Sequence, residues 1–456
     1  MGSFFGTDGI RGRANVFPMD CETAVKVGRA IVRELGGESS GRDVIIAQDT
    51  RLSGDMLAHA LAAGVCSAGG RVQMAGVLPT PAAAVLAAAG NACAAVVISA
   101  SHNPYEDNGI KVFGGDGFKL SDLTEAAIEG RMTGDDLSKG RDPISTIGNV
   151  SPLGDAGPRY LDFLLSGVSQ SLRLDGVKIV LDCANGAAWQ VGPALFSRLG
   201  AELTVLSASP DGRNINDGCG SEHPQRLSNA VGNAGAQIGI ALDGDADRLI
   251  VVDEMGHVQT GDQIIAVMAN DMKKNGLLRN NRVITTVMSN MGLGNALAKL
   301  GIEHEVAAVG DRHVMARMRE TGAVLGGEDS GHLIFMDHHT TGDGIYAALR
   351  LVGVLLAENR PLSELSRVMQ VYPQELMAIP VRKKPPLDQI PEIGRAIALI
   401  EGELKGEGRV LVRYSGTQSV CRVMVEGPDR EYTRACCRRI ASAVQRSLGR
   451  RTPVFP

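Results

Sequence analysis

AAVVISASHNPYEDNGIK, residues 94–111, runs from small and β-branched apolar residues straight into Ser99, Ser101, His102 and Asn103, and Pro104 stops it. A short apolar run of this kind predicts a buried strand of an α/β sheet, and Pro104, Asn108 and Gly109 predict the turn behind it. The polar cluster is thereby placed at the carboxyl end of a strand. Ligands collect at that edge of open α/β sheets, so Ser101 is a candidate nucleophile or phosphate carrier, with a plain turn residue as the alternative.

Working outward, strand-like runs recur in three blocks, a weak internal repeat. The first pairs DVIIAQDTR with AAVVISASHNP, the second VKIVLDCANG with QIGIALDGDADR, the third RVITTVMSNMG with AVLGGEDSGH, and helical patterns such as GDMLAHALAAGVCSAG lie between members. Strand alternating with helix predicts an α/β fold with a largely parallel sheet in each block. The second loop of each block is the one crowded with polar groups. The last segment differs: GRVLVRYSGTQSVCRVMVEG reads as two alternating strands about a Ser-Gly-Thr turn, followed by the helix REYTRACCRRIASAVQRSLG, a smaller α+β domain. Breaks in the pattern near 151–158, 254–260 and 371–386 give expected domains of 1–152, 153–256, 257–371 and 372–456.

A chain of 456 residues is long enough for several domains, and its net charge of -5 gives no basic excess for nucleic acid or an anionic membrane. Eight cysteines without a C-x-x-C pair fit neither a zinc site nor a disulfide framework and predict reduced thiols. MGSFFG lacks the basic and apolar regions of a secretory leader, and the alanine-rich tract AAAVLAAAGNACAAVVISA, broken by Gly90 and Asn91, reads as helix then strand rather than a membrane span. A soluble, cytoplasmic protein is expected.

LDGDADRLIVVD carries the sharpest local chemistry. Asp243, Asp245 and Asp247 follow an apolar strand at every second position, and carboxylates so close repel unless a cation neutralises them; all-oxygen ligation suits a hard ion such as Mg²⁺. An EF-hand is excluded, although Glu254 falls at its twelfth position, because Arg248 replaces the required glycine and the flanks are strands. A solvated acidic turn is the bland alternative. RYSGTQS, with Arg413, Ser415 and Thr417 and with Arg422 on the returning strand, has the chemistry of an anion cradle or of an ordinary hairpin turn. GGEDSGH offers Glu328, Ser330 and His332 to a polyhydroxylated ligand, or is a polar turn. A serine hydrolase built on Ser101 and His102 is rejected: neighbouring side chains of an extended segment point apart, and no G-x-S-x-G elbow surrounds the serine. Phosphoryl transfer suits a serine, a metal triad and arginine cradles better.

Taken together and in order, FGTDGIRG, SASHNP, DGDADR, GGEDSGH and RYSGTQSVCRVMVEG resemble the α-D-phosphohexomutase family over nearly the whole chain. The resemblance implies three related α/β domains with mixed, largely parallel sheets and a smaller C-terminal α+β domain around a central cleft. It implies that Ser101 carries the phosphoryl group and that Asp243, Asp245 and Asp247, with the serine phosphate, hold one Mg²⁺. Arg11, His102, Lys111 and Arg248 would line the transferring phosphate. Gly327, Glu328, Asp329, Ser330 and Gly331 would face the sugar hydroxyls, and Arg413, Ser415, Gly416, Thr417 and Arg422 would grip the phosphate that does not react. Either Lys111 or His332 would manage the hydroxyl proton.

FGTDGIRG and DRHVMARM look like the branch of the family that isomerises glucosamine 6-phosphate to glucosamine 1-phosphate, feeding UDP-N-acetylglucosamine and cell-wall precursor synthesis. Glucosamine or glucose 1,6-bisphosphate is the implied activator, a small sugar phosphate the partner, and a homodimer is compatible. Residue chemistry alone leaves amino and neutral sugars open, as it does a metal-dependent phosphatase and an idle sugar-phosphate sensor. Two positions depart from the family pattern. Gln418 and Ser419 stand where Glu-Pro is usual, which predicts a more mobile loop with its grip intact. Ala246 stands where glycine is frequent, which predicts an ordinary backbone there.

Overall fold

In the computed structural model, which describes residues 4–6, 8–37, 42–133, 147–415 and 419–449, the strand of the opening stretch runs Ala92–Ile98 with every residue buried. An uninterrupted apolar strand can only be covered on both faces. Its place in the sheet is interior: with β1 Ile10–Arg13, β2 Asp43–Gln48, β3 Arg71–Val77, β4 Ala92–Ile98, β5 Asp107–Gly114 and β6 Val150–Pro152, the order is β1-β5-β4-β2-β3-β6. Strands β4, β2, β3 and β6 are parallel, whereas β5 returns antiparallel to β4 and β1 antiparallel to β5. The alanine-rich helix Thr80–Ala89 is buried from Thr80 through Ala87, its small side chains allowing close approach to β4.

The described residues fall into two units, one of residues up to 288 with 302–368, the other of 289–301 with 369 onward. The first unit repeats the pattern twice more. β7 Lys178–Asp182, β8 Glu202–Leu206, β9 Ile238–Leu242, β10 Leu249–Asp253 and β11 Val258–Gln259 form a sheet of order β11-β10-β9-β7-β8. β12 Arg282–Thr286, β13 Glu303–Ala307, β14 Leu325–Gly327 and β15 Leu333–Phe335 form one of order β13-β12-β14-β15. In each sheet the neighbours of the central strand are parallel on one side, and an antiparallel hairpin closes the other: β4–β5, β9–β10 and β14–β15. The three sheets are therefore mixed. A parallel return needs a crossover of a dozen residues or more, and the loops 99–106, 243–248 and 328–332 are too short for one.

Two expectations for the opening stretch change accordingly. Asn108 and Gly109 belong to β5, not to a turn. Gly109 is in a strand because a Cβ there would lie 2.4 Å from the Ser99 carbonyl oxygen, so only glycine lets the backbones approach.

The second unit is an antiparallel sheet of β16 Gln374–Pro380, β17 Arg409–Tyr414 and β18 Val420–Glu426, ordered β16-β18-β17. Strand β16 lies inside the stretch 371–386 that sequence pattern marks as a break. The helix Arg430–Leu448 starts at Asp429, whose carboxylate accepts the Tyr432 N–H at 2.8 Å, and places Cys436, Cys437, Ile440 and Val444 at helical spacing against Val423 and Val425.

All eight cysteines are free thiols, with only Cys21 and Cys66 partly exposed. Burial pushes the Cys93, Cys219 and Cys421 thiols up to about 11 and Cys437 to about 12. A thiol-reagent titration of native protein at neutral pH is expected to count at most two fast thiols, the rest appearing only on unfolding; three or more fast thiols would contradict this packing. No helix among the described residues is long and apolar enough to cross a membrane.

Candidate active site

The three hairpin loops of the first unit meet. Ser101, the residue beyond the end of β4 on which the opening question turns, is 1% exposed and sits at φ 54. That left-handed turn directs its Oγ to Asp243 Oδ2 at 2.6 Å and brings it within 3.3 Å of His102 Nδ1. Neighbouring side chains thus do converge here, contrary to the extended backbone expected. A Ser–His hydrolase pair still does not follow, because the serine hydroxyl donates to a carboxylate of the acidic triad.

The triad is buried and its carboxylates face one another: one oxygen from each of Asp243, Asp245 and Asp247 lies within 4.8 Å of the others. The turn that gathers them has Ala246 at φ 58, overturning the ordinary backbone expected for it. An alanine there costs on the order of 1 kcal/mol. The Ala246 N–H bonds to the Asp243 carbonyl at 3.1 Å and its carbonyl accepts the Gly344 N–H at 3.0 Å, so tertiary bonds hold the strained residue. Next to it, a Cβ on Gly244 would lie 2.5 Å from the Ser101 carbonyl oxygen; the glycine is what lets the two loops touch.

Burial, then the charges of Asp247 and Asp245, push the Asp243 carboxyl well above its usual range. Asp245 Oδ1 and Asp247 Oδ1 are buried without hydrogen-bond partners. Orphaned carboxylate oxygens in an all-oxygen cluster fit a hard divalent cation, so the triad can hold a metal ion.

Around the triad the charges alternate in a closed ring. Lys111 Nζ lies 3.1 Å from Asp247, 2.7 Å from Asp245 and 3.3 Å from Asp8. Asp8 also pairs with Lys119, which reaches Asp311 at 2.5 Å. Asp311 Oδ2 is 3.5 Å from His332 Nε2, and His332 Nδ1 is 3.7 Å from Asp247. Burial disfavours the charged lysine, yet Asp245, Asp247 and Asp8 outweigh it and hold Lys111 well above its usual value. Burial likewise opposes ionisation of Asp247, but Lys111, His332 and Arg248 hold it well below the usual carboxylate range. For His102 burial and the charge of Arg248 lower the pKa.

The remaining expected residues divide into two groups. Arg11, on β1, pairs with Asp8 and reaches the Ala100 carbonyl next to Ser101 at 3.4 Å. Arg248 extends between Asp247, at 4.0 Å, and Glu222, at 3.7 Å. Gly327 ends β14, and in the loop that follows Glu328 Oε1 accepts the Gly310 N–H at 3.0 Å while Asp329 Oδ1 faces the Asp262 N–H at 3.4 Å, at the start of the helix Gly261–Lys274. Gly331, at φ 91, takes the Leu249 N–H on its carbonyl, tying this loop to β10; Ser330 is exposed.

In the second unit Arg413 and Arg422 stand directly opposite on β17 and β18, and Lys384 Nζ donates to the Ser415 carbonyl at 2.6 Å. Burial and the charge of Arg422 lower the Arg413 pKa, which an anion between the two guanidiniums would reverse. Gly416 and Thr417, like Gln418, lie outside the described residues.

Sequence reasoning missed Asp8, Lys119, Asp311 and Lys384. Asp8 stood in a quoted motif, but nothing local announces an ion pair to a residue more than a hundred positions away.

Family models for phosphoglucomutase/phosphomannomutase match in chain order: alpha/beta/alpha domain I over residues 2–139, domain II over 158–256, domain III over 260–372 and the C-terminal domain over 376–443. The chain is 50% identical over 449 residues to a phosphoglucosamine mutase of Syntrophus aciditrophicus, covering 98% of this chain and 100% of that one. It is 49% identical over the same span to a phosphoglucosamine mutase of Syntrophobacter fumaroxidans, again covering 98% and 100%. Among solved structures, a phosphoglucomutase/phosphomannomutase family protein from Burkholderia thailandensis superposes with a TM-score of 0.78 at 26% identity, covering 98% of each chain.

Proposed function

We infer the reaction from the fact that the chain belongs to the phosphoglucomutase/phosphomannomutase family: it is a phosphoglucosamine mutase, an enzyme that interconverts glucosamine 6-phosphate and glucosamine 1-phosphate. The observation that carries the mechanism is the Ser101 hydroxyl, buried 2.6 Å from a carboxylate of a triad with orphaned oxygens.

In the proposed cycle Ser101 bears a phosphoryl group. The bond from phosphorus to Ser101 Oγ breaks as the bond to sugar O1 forms, and the O1 hydroxyl gives up its proton. The 1,6-bisphosphate then reverses end for end, its 6-phosphoryl returns to Ser101, and O6 takes a proton. The net change is isomerisation. Lys111 is engaged by three carboxylates and remains an ammonium, so it supplies charge, and His332, whose Nε2 makes no hydrogen bond, is the group left for the proton. Arg11 and Arg248 neutralise the phosphoryl oxygens, while Arg413, Ser415 and Arg422 bind the phosphate that is not transferred. Asp243, Asp245 and Asp247 would hold Mg²⁺, which when bound offsets negative charge on the transferring group as a Lewis acid.

Glu328 supports the amino sugar: one carboxylate oxygen is fixed by the Gly310 N–H, which orients the side chain for a 2-ammonium group. kcat/KM for glucosamine 6-phosphate is expected to exceed that for glucose or mannose phosphates by at least about tenfold, which is ~1.4 kcal/mol of transition-state preference. Assays across hexose and hexosamine phosphates, with a trace of sugar bisphosphate and a parallel measurement of free phosphate, test this. Equal efficiency with neutral sugars would move the assignment to a phosphomannomutase or phosphoglucomutase, and release of free phosphate in place of isomer would make the protein a phosphatase.

A further inference from the structure

Ser101 holds a backbone conformation that a serine seldom adopts, and the surrounding groups identify what keeps it there. Arg51 is the centre of that arrangement. Its side chain is fully buried, and it touches no group assigned above to the reaction. Nη2 donates to the carbonyl oxygens of Ser101, at 2.9 Å, and Asn103, at 2.7 Å; Nη1 donates to the carbonyls of Asp107, at 3.0 Å, and Pro104. One guanidinium thus collects four carbonyls of the loop that carries the serine.

Asp49 completes the device. Its carboxylate accepts from Arg51 Nε at 2.8 Å and from Ser99 Oγ at 2.6 Å, and Ser99 Oγ in turn accepts the Ser101 N–H at 3.0 Å. The serine is therefore held through both its N–H and its C=O by one buried ion pair. From the second sheet's side, Asn216 Nδ2 donates to the same two carbonyls, Ser101 at 2.9 Å and Asn103 at 3.0 Å, so each accepts two hydrogen bonds and has no lone pair to spare. A phosphoryl group on Oγ sits beside these carbonyl dipoles and would be repelled by any that swung toward it. Release of the loop would also let Ser101 relax from φ 54 and carry Oγ away from Asp243.

We propose that Arg51, anchored by Asp49 and seconded by Asn216, is the positioning residue that sets Ser101 for phosphoryl transfer. The proposal rests on the reading of Ser101 as the phosphate carrier. Its effect falls on the transfer step, since neither residue reaches toward the groups that hold the sugar.

The test compares the parent with Arg51→Lys and Asn216→Ala. Lysine keeps the charge next to Asp49 but cannot bridge four carbonyls. Each protein is mixed with glucose 1,6-bisphosphate and the phosphate on the chain is followed by intact mass; kcat and KM for glucosamine 6-phosphate and the thermal midpoint are measured alongside. Arg51→Lys is expected to take up phosphate roughly ten- to a hundredfold more slowly, with kcat falling in step and KM within about twofold, the range set by losing one or two hydrogen bonds to a charged group. Asn216→Ala is expected to show the same split, smaller in size, and decides the matter if Arg51→Lys does not fold. Phosphorylation at the parental rate in the folded variants, or a loss confined to KM, overturns the proposal. A parent that never takes up phosphate overturns the phosphoserine reading, and this one with it, whereas a phosphorylated parent with indifferent variants overturns this one alone.

Discussion

Ser101→Ala is expected to fold like the parent and to turn over at least about 10⁴-fold more slowly, the scale of loss when a covalent nucleophile is deleted. The substitution removes one buried hydroxyl and leaves the backbone bonds that hold residue 101 untouched. What disappears is the only bond through which phosphate would pass between enzyme and sugar. Intact-mass measurement should find phosphate on the parent after incubation with a sugar bisphosphate and none on the variant. A variant retaining more than about one part in a hundred of parental turnover would remove Ser101 from the mechanism.

The second large effect is expected at Asp245. Its Oδ2 accepts from Lys111 at 2.7 Å and from Thr80 Oγ1 at 2.5 Å, and its Oδ1 has no partner, so it joins the charge ring to the triad. Asp245→Asn keeps the shape and removes one unit of negative charge from both. Lys111 retains Asp247 and Asp8, so the fold should survive. The triad should bind a divalent cation more weakly and kcat/KM should fall on the order of a hundredfold, about 2.7 kcal/mol. Calorimetric titration with Mg²⁺, together with activity in limiting Mg²⁺, checks both halves. Parental activity there would reduce the triad to an acidic turn.

The parts of this molecule legible in the sequence are those written in neighbouring residues. The apolar run before Ser101, the alternating aspartates at 243, 245 and 247 and the helical spacing of Cys436, Ile440 and Val444 declare themselves within a dozen positions, because pleat and helix repeat on that scale. What stayed hidden depends on residues far apart in the chain. Asn108 and Gly109 looked like a turn because the carbonyl of Ser99 that demands the glycine arrives by hairpin pairing, and the left-handed Ala246 is paid for by a bond from Gly344. The ring passing through Asp8, Lys119 and Asp311 spans 192 positions between its lysine and its farther aspartate, and Arg51 reads as any strand-end arginine until the loop beyond β4 folds over it. Strand β16 was missed for another reason: its alternation is interrupted by flanking prolines that mark a boundary as readily as an edge strand.

The three hairpins β4–β5, β9–β10 and β14–β15 occupy the same place in three sheets, yet their loops share no chemistry: one offers a hydroxyl, one carboxylates, one a glutamate and a histidine. Architecture repeats here while labour is divided. No loop can stand in for another, so damage to any one of them has no understudy elsewhere in the chain. The scaffold is more forgiving, because its strands answer only to burial and pairing. A chimaera that exchanges the apolar strands among the three sheets while leaving each loop in its own sheet should therefore keep its chemistry better than one that exchanges the loops, and the tolerance of this chain to change is graded along each hairpin, from permissive stem to exacting tip.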